Sequence, residues 1–314
     1  MHLLPRAVIA MGVVLLVGCY SDNDSSTIVD SSTAVDKVVS PEIAPDIALP
    51  MPEEPAVDTL PAGDWWKPLA SQNLTWQWQL QGEVDTSFQV QVYNIDIDTP
   101  VEKVAELTSR NIKVICYFSA GTVENFRADA SQFSSDIIGE QYEDLEDEMW
   151  LDYSNFQSFA GVMEARMDEC KRKGFDAIET DNVDAHNYET RDSLGNVVNI
   201  GTNFRITLDD SIAYIRWLAE QAHARGLSIG LKNAEEMAPD VVKDVDWMLT
   251  EDCFVDSWCQ SAVVFVEHNK PVFMAEYEDL VPDFAPACAL AKSLGFSAIW
   301  RDPSLALDTY LACE

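Results

Sequence analysis

The sequence predicts one α/β catalytic domain, a single (β/α)8 barrel of the TIM type, preceded by an export signal and a disordered tether. Three observations carry this. Eight short apolar runs recur between residues 76 and 300, with helical spacing between several of them. Gly174, Gly226 and Gly295 each stand between a helical stretch and the next run, where a left-handed cap ends a helix. Polar or ionisable residues crowd the C-terminal end of almost every run, where such barrels build their sites.

The N-terminus comes first. Arg6, the apolar run Ala7 to Val17 and the ending Leu16-Val-Gly-Cys19 are too short to span a bilayer and fit an export signal. The ending resembles a bacterial lipoprotein signal, which implies removal of residues 1–18 and lipidation of Cys19. Tyr20 rather than Asp follows, which in a Gram-negative host favours the outer membrane. The alternative is a plain secretory signal with an incidental cysteine. Residues 19–62 are dominated by Asp, Ser, Thr, Pro and Val without a sustained period, and are expected to be a disordered linker. Residues 63–314 then form the barrel.

Strands are expected at Trp76–Leu80, Val90–Ile95 and Lys113–Phe118, then a short extra strand at Met149–Leu151. A helix over Phe156–Lys173 leads to a strand at Phe175–Thr180, and an amphipathic helix at Asp209–Arg225 to one at Leu227–Leu231. Asp246–Thr250, Val272–Ala275 and Ala298–Trp300 complete the eight. A doubly wound open sheet is the alternative, but no Gly-rich phosphate loop follows any strand.

Six cysteines besides Cys19 suggest disulfides in an exported domain. Cys253 with Cys259 would close a short loop, and Cys288 with Cys313 would tie down the C-terminus. A Cys116–Cys170 pair would draw on a cysteine inside a strand. The net charge of −34 argues against nucleic acid and would draw in a cationic ligand, although solubility or salt adaptation could also account for it. The four histidines show no paired ligand spacing, and Lys232 and Arg301 on the rim would oppose a bound cation. No metal and no cofactor are expected.

The most informative stretch is Gly174-Phe-Asp-Ala-Ile-Glu-Thr-Asp-Asn-Val-Asp-Ala-His-Asn187. Alternation along a strand aims Glu179 and Asp181 the same way, and neighbouring carboxylates raise each other's pKa, an arrangement that catalysis exploits. The other strand ends add Gln79, Asn94, Asp96 and Asp98, Tyr117 and Ser119, Lys232 and Asn233, Glu251 and Asp252, Glu276 and Tyr277, and Arg301 and Asp302. Glycoside hydrolysis needs two carboxyl groups flanking the scissile bond, and Asp181 and Glu251 come from different strands of one rim. Trp76, Trp78, Tyr93, Tyr117, Trp150, Tyr277 and Trp300 could stack on sugar faces or fill the core.

Trp76-Gln-Trp-Gln-Leu80, Val92-Tyr-Asn-Ile-Asp96, Lys113-Val-Ile-Cys-Tyr-Phe-Ser-Ala-Gly121, Phe175-Asp-Ala-Ile-Glu-Thr-Asp-Asn-Val-Asp184, Gly230-Leu-Lys-Asn233 and Thr250-Glu-Asp-Cys253 together resemble glycoside hydrolase family 114. The resemblance runs from about Trp65 to the C-terminus. It implies endo-α-1,4-polygalactosaminidase activity with retention, Asp181 as nucleophile and Glu251 as general acid/base. Asp96, Tyr117, Glu179, Asn182, Asp184, Lys232, Asn233, Glu276, Tyr277 and Arg301 are then expected to bind substrate or support the pair. Two features depart from the family: the loop Glu189–Asn203 looks longer, which bears on endo action, and Thr180 stands where Pro is common. The competing readings are a non-catalytic surface lipoprotein that binds a cationic amino-sugar polymer, and a glycosidase acting on another glycan. A monomer is expected.

Overall fold

A computed structural model describes residues 64–142, 145–188, 190–191, 197–198, 201–306 and 309–313. The signal, Cys19, the linker and most of the 189–203 loop lie outside the described residues.

Eight parallel strands form the wall: β1 (Trp76–Gln79), β2 (Val92–Asp96), β3 (Lys113–Ser119), β4 (Ala177–Asp181), β5 (Ser228–Lys232), β6 (Trp247–Glu251), β7 (Val272–Tyr277) and β8 (Ser297–Arg301). Each pairs with the next in chain order. The eight expected strands are all present. A ninth, β9 (Tyr310–Ala312), was not foreseen and runs antiparallel along β8. No backbone ladder joins β1 to β8, so other bonds hold this seam. Trp76 Nε1 donates to Ser297 O at 2.8 Å, Tyr310 Oη to Trp76 O at 2.9 Å, and Leu80 N to Leu305 O at 3.1 Å.

The described helices are α1 (Val101–Ser109), α2 (Ala160–Lys173), α3 (Leu208–Ala224), α4 (Ala238–Val241), α5 (Val263–Glu267) and α6 (Ala285–Leu294). Gly174 and Gly295 cap α2 and α6 with positive φ, as their positions predict. Thr207 and Asp210 form a reciprocal capping box that starts α3. The expected Phe156–Lys173 helix is two elements, because Phe159 (φ −128, ψ 14) leaves helical geometry between the 3-10 segment Tyr153–Ser158 and α2. The extra strand, observed as Glu148–Leu151, belongs to a separate antiparallel sheet with Thr122–Glu124 and Ile138–Gln141, inserted between β3 and α2.

Strand alternation sorts the side chains. Trp76, Trp78, Val92, Ile115, Ala177, Trp247, Leu249, Phe273, Ala275 and Ile299 pack together as one interior cluster. A larger cluster lies between the strands and the helices. Among the interior positions Gly230 is constrained by space, since a Cβ there would lie 2.2 Å from the Trp247 ring. All three expected disulfides form, including Cys116–Cys170, which staples α2 to β3. Gly230→Ala should therefore lower unfolding stability by about 1–3 kcal/mol through overpacking. An unchanged urea midpoint would show that the Trp247 ring can yield.

Candidate active site

Three strands end on the residues that matter most. Asp181 closes β4, Lys232 closes β5 and Glu251 closes β6. The next residue in each case takes left-handed backbone: Asn182 (φ 61), Asn233 (φ 48) and Asp252 (φ 54). Asn and Asp tolerate that region better than other residues with a side chain. Each strand thus delivers its last side chain inward and then turns away.

The Lys232 ammonium is the hub. Its Nζ lies 2.9 Å from Asp181 Oδ1, bonds Glu251 Oε2 more closely, and stands 3.9 Å from Glu179 Oε1. The Trp78 ring lies 5.4 Å away. Burial would lower the ammonium's pKa, but Asp181, Glu251 and Glu179 hold it well above its ordinary value.

Further donors fix each carboxylate. Asp181 accepts from Tyr117 Oη at 3.0 Å and from Asn182 N at 2.9 Å. Its carbonyl accepts from Ala120 N at 2.9 Å and Gly121 N at 3.1 Å. A Cβ on Gly121 would sit 1.5 Å from Asn182 O, so only glycine permits this approach. Glu251 accepts from Tyr277 Oη, while its amide donates to Asn233 Oδ1 at 2.9 Å and turns Asn233 Nδ2 toward the carboxylate. Burial holds both tyrosine hydroxyls well above their ordinary pKa, reinforced by Asp181 at Tyr117 and by Glu251 at Tyr277. Both therefore remain proton-bearing near neutral pH.

The sequence profile of Glycoside-hydrolase family GH114 matches residues 57–314. The chain belongs to this family. Among solved structures, Ega3 of Aspergillus fumigatus, crystallised in complex with galactosamine, is 31% identical with a TM-score of 0.68, over 80% of this chain and 98% of that one. The glycoside hydrolase domain of PelA from Pseudomonas aeruginosa shares the fold at 13% identity, with a TM-score of 0.57 over 76% and 96% of the two chains. A search of curated protein sequences finds no match.

In this GH114 barrel the expected residues separate into groups. Asp181, Glu251, Lys232, Tyr117, Tyr277, Asn233 and Glu179 converge on one spot. Glu179 lies deepest, and its Oε2 accepts from Asn94 Nδ2. Burial, opposed by Lys232 and reinforced by Asp181, pushes Glu179 up to about 8. Asp184 follows on the next turn, pushed up to about 6 by burial and by Asp181.

Other residues are engaged elsewhere. Asp96 is held by Arg127 at 2.7 and 2.8 Å, alongside Asp98 and Glu124. Arg301, fully buried, bonds Gln77, Ala306 O and Asp302 at the β1–β8 seam. Glu276 alternates with the interior residues Ala275 and Tyr277, so it faces outward from the barrel and accepts from Phe254 N at 2.8 Å. Asn182 also turns its side chain away from the hub, toward Ser119 and Glu148.

Most of the aromatic candidates for sugar stacking are structural. Trp76, Trp78, Tyr93 and Trp150 are fully buried, and Trp300 donates to Val281 O. Trp78 and Asn94, read in sequence as a stacking or core aromatic and as a strand-end polar residue, lie against Lys232 and Glu179 instead. Among the described residues, Cys253, Cys259 and Glu276 lie close enough together to hold an ion, but the two sulfurs are joined in a disulfide.

Glu148 and Glu276 resemble Glu179, each pushed up to about 8 chiefly by burial. A carboxyl that ionises near its ordinary value when unfolded, but near 8 when folded, stabilises the folded state below the lower value and loses that contribution as pH rises through 8. The melting temperature should accordingly fall between about pH 5 and pH 8, and Glu276→Gln should flatten the fall. A melting temperature that rises across this window by calorimetry would contradict the assignment.

Proposed function

We propose that this GH114 hydrolase cleaves α-1,4-linked galactosamine-containing polysaccharide inside the chain, with retention of anomeric configuration. The observation that carries the mechanism is the shared ammonium. Two oxygens bonded to one nitrogen can be no further apart than the sum of two hydrogen bonds, about 6 Å. Retaining enzymes hold their carboxyl groups about 5–5.5 Å apart, whereas inverting enzymes need about 6.5–9.5 Å to admit a water.

Asp181 is the nucleophile in this reading. Lys232 Nζ and Asn182 N donate to its Oδ1 and Tyr117 Oη to its Oδ2, which fixes the carboxyl group in place. Glu251 is the acid. Tyr277 Oη can donate to its carboxylate or accept from its protonated form, so the contact survives both halves of the cycle. Asp181 attacks the anomeric carbon while the Glu251 proton passes to the departing glycosidic oxygen. Glu251 then takes a proton from water, whose oxygen displaces Asp181 and restores both groups.

The galactosamine bound by Ega3, together with the identity to that chain, supports an amino-sugar substrate. A polymer with free amines is cationic at neutral pH, and a chain of net charge −34 would concentrate it. Cleavage should slow as salt rises from 20 to 300 mM, and a salt-independent rate would argue against this use of the charge.

The proposal extends to location, as a monomer anchored by lipid at Cys19 in the cell envelope. The Trp65 ring stacks on His223, and its Nε1 donates to Asp246, immediately before β6, while Glu251 ends β6 at the opposite face.

The test is release of reducing ends from partly de-N-acetylated α-1,4-galactosamine polymer. Asp181→Asn and Glu251→Gln should each lower kcat by at least about a thousandfold while leaving the polymer bound. Binding by the parent without release would favour a glycan-binding lipoprotein. Release from another glycan alone would move the substrate.

A further inference from the structure

Side chains of the inserted three-stranded sheet reach the residue that follows the proposed nucleophile. Asn182 Nδ2 donates to Glu148 Oε1 at 3.0 Å and to Ser119 Oγ at 3.0 Å. Thr122 Oγ1 bonds both Glu148 Oε1 and Ser119 Oγ, closing a buried ring of polar groups. Glu148, Thr122, Ser119 and Asn182 are all at least nine-tenths buried, which sets this ring apart from a solvated turn.

We propose that Glu148 is a positioning residue for Asp181, acting through Asn182. This rests on Asp181 being the nucleophile. The chain of contacts is short. Glu148 fixes the Asn182 side chain, which keeps Asn182 at φ 61, and that conformation points its amide at Asp181 Oδ1. Without a side-chain anchor, a non-glycine residue gains by leaving the left-handed region. Relaxation there would swing the amide away and leave Asp181 Oδ1 held by Lys232 Nζ alone, free to pivot about that bond. Misplacement of a reacting group by about 1 Å can cost about a hundredfold in rate.

Position rather than charge is what Glu148 supplies. Glu124, Arg127 and Asp181 face it, and burial with the two acids favours its neutral form. Its Oε1 receives both hydrogen bonds, so a glutamine amide oxygen can replace it.

The experiment compares Glu148→Gln, Glu148→Leu, Asn182→Ala and the double variant Glu148→Leu/Asn182→Ala in the full chain, with Asp181→Asn beside them. Glu148→Gln should keep kcat within about threefold of the parent. Glu148→Leu and Asn182→Ala should each lower kcat about 10- to 100-fold with KM nearly unchanged, and the double variant should be no worse than the poorer single one. Full kcat in Glu148→Leu, or multiplied losses in the double variant, would overturn the inference. Should Glu148→Leu fail to fold, Asn182→Ala with parental kcat would overturn it equally. An active Asp181→Asn would instead remove the nucleophile assignment on which it rests.

Discussion

The site depends on one buried cation. Lys232 is almost inaccessible to water, and its ammonium is surrounded by Asp181, Glu251 and Glu179. Removing one partner of a buried ion pair costs about 3–5 kcal/mol, because the remaining charge is left uncompensated. Burial raises Glu179 toward its neutral form, and the hydrogen bonds of the ammonium go to Asp181 and Glu251. Lys232 therefore sets the spacing of the proposed catalytic pair. The β-strand lattice beneath supplies its fixed origin, through Trp78 and the tightly packed Gly230–Trp247 contact.

Rigidity at the strand ends complements that cation. Asp-Asn, Lys-Asn and Glu-Asp dipeptides stand where β4, β5 and β6 stop, and the second residue of each is left-handed. Glycine would reach the same backbone conformation more easily, but it carries no side chain. Asn182 and Asn233 use theirs, one to reach the inserted sheet and the other to hold Glu251. The strain at these positions is confined to the face that performs the chemistry.

Much of this was legible in the sequence because its signals are local. Apolar runs marked the eight strands, and Gly174 and Gly295 marked helix ends. Parity along β4 aimed Glu179 and Asp181 inward together, as observed. What was not legible required neighbours distant in the chain. Asp96 looks like a free rim acid until Arg127 folds over it. Arg301 looks like a site cation until β9 and the seam enclose it. Glu276 and Tyr277 are adjacent at one strand end, yet alternation sends only Tyr277 to the hub. The role of Glu148 depends on a small sheet whose strands hardly register as periodic.

The most direct test of the central claim, a carboxylate pair held close by one ammonium, is the configuration of the first-formed product. Proton NMR during the opening minutes of cleavage, before mutarotation, reads the anomeric signal of the new reducing end. A pair this close predicts an α product first, by double displacement through Asp181. A β product appearing first would mean that a water attacks directly, and that Asp181 and Glu251 do not work as the structure holds them.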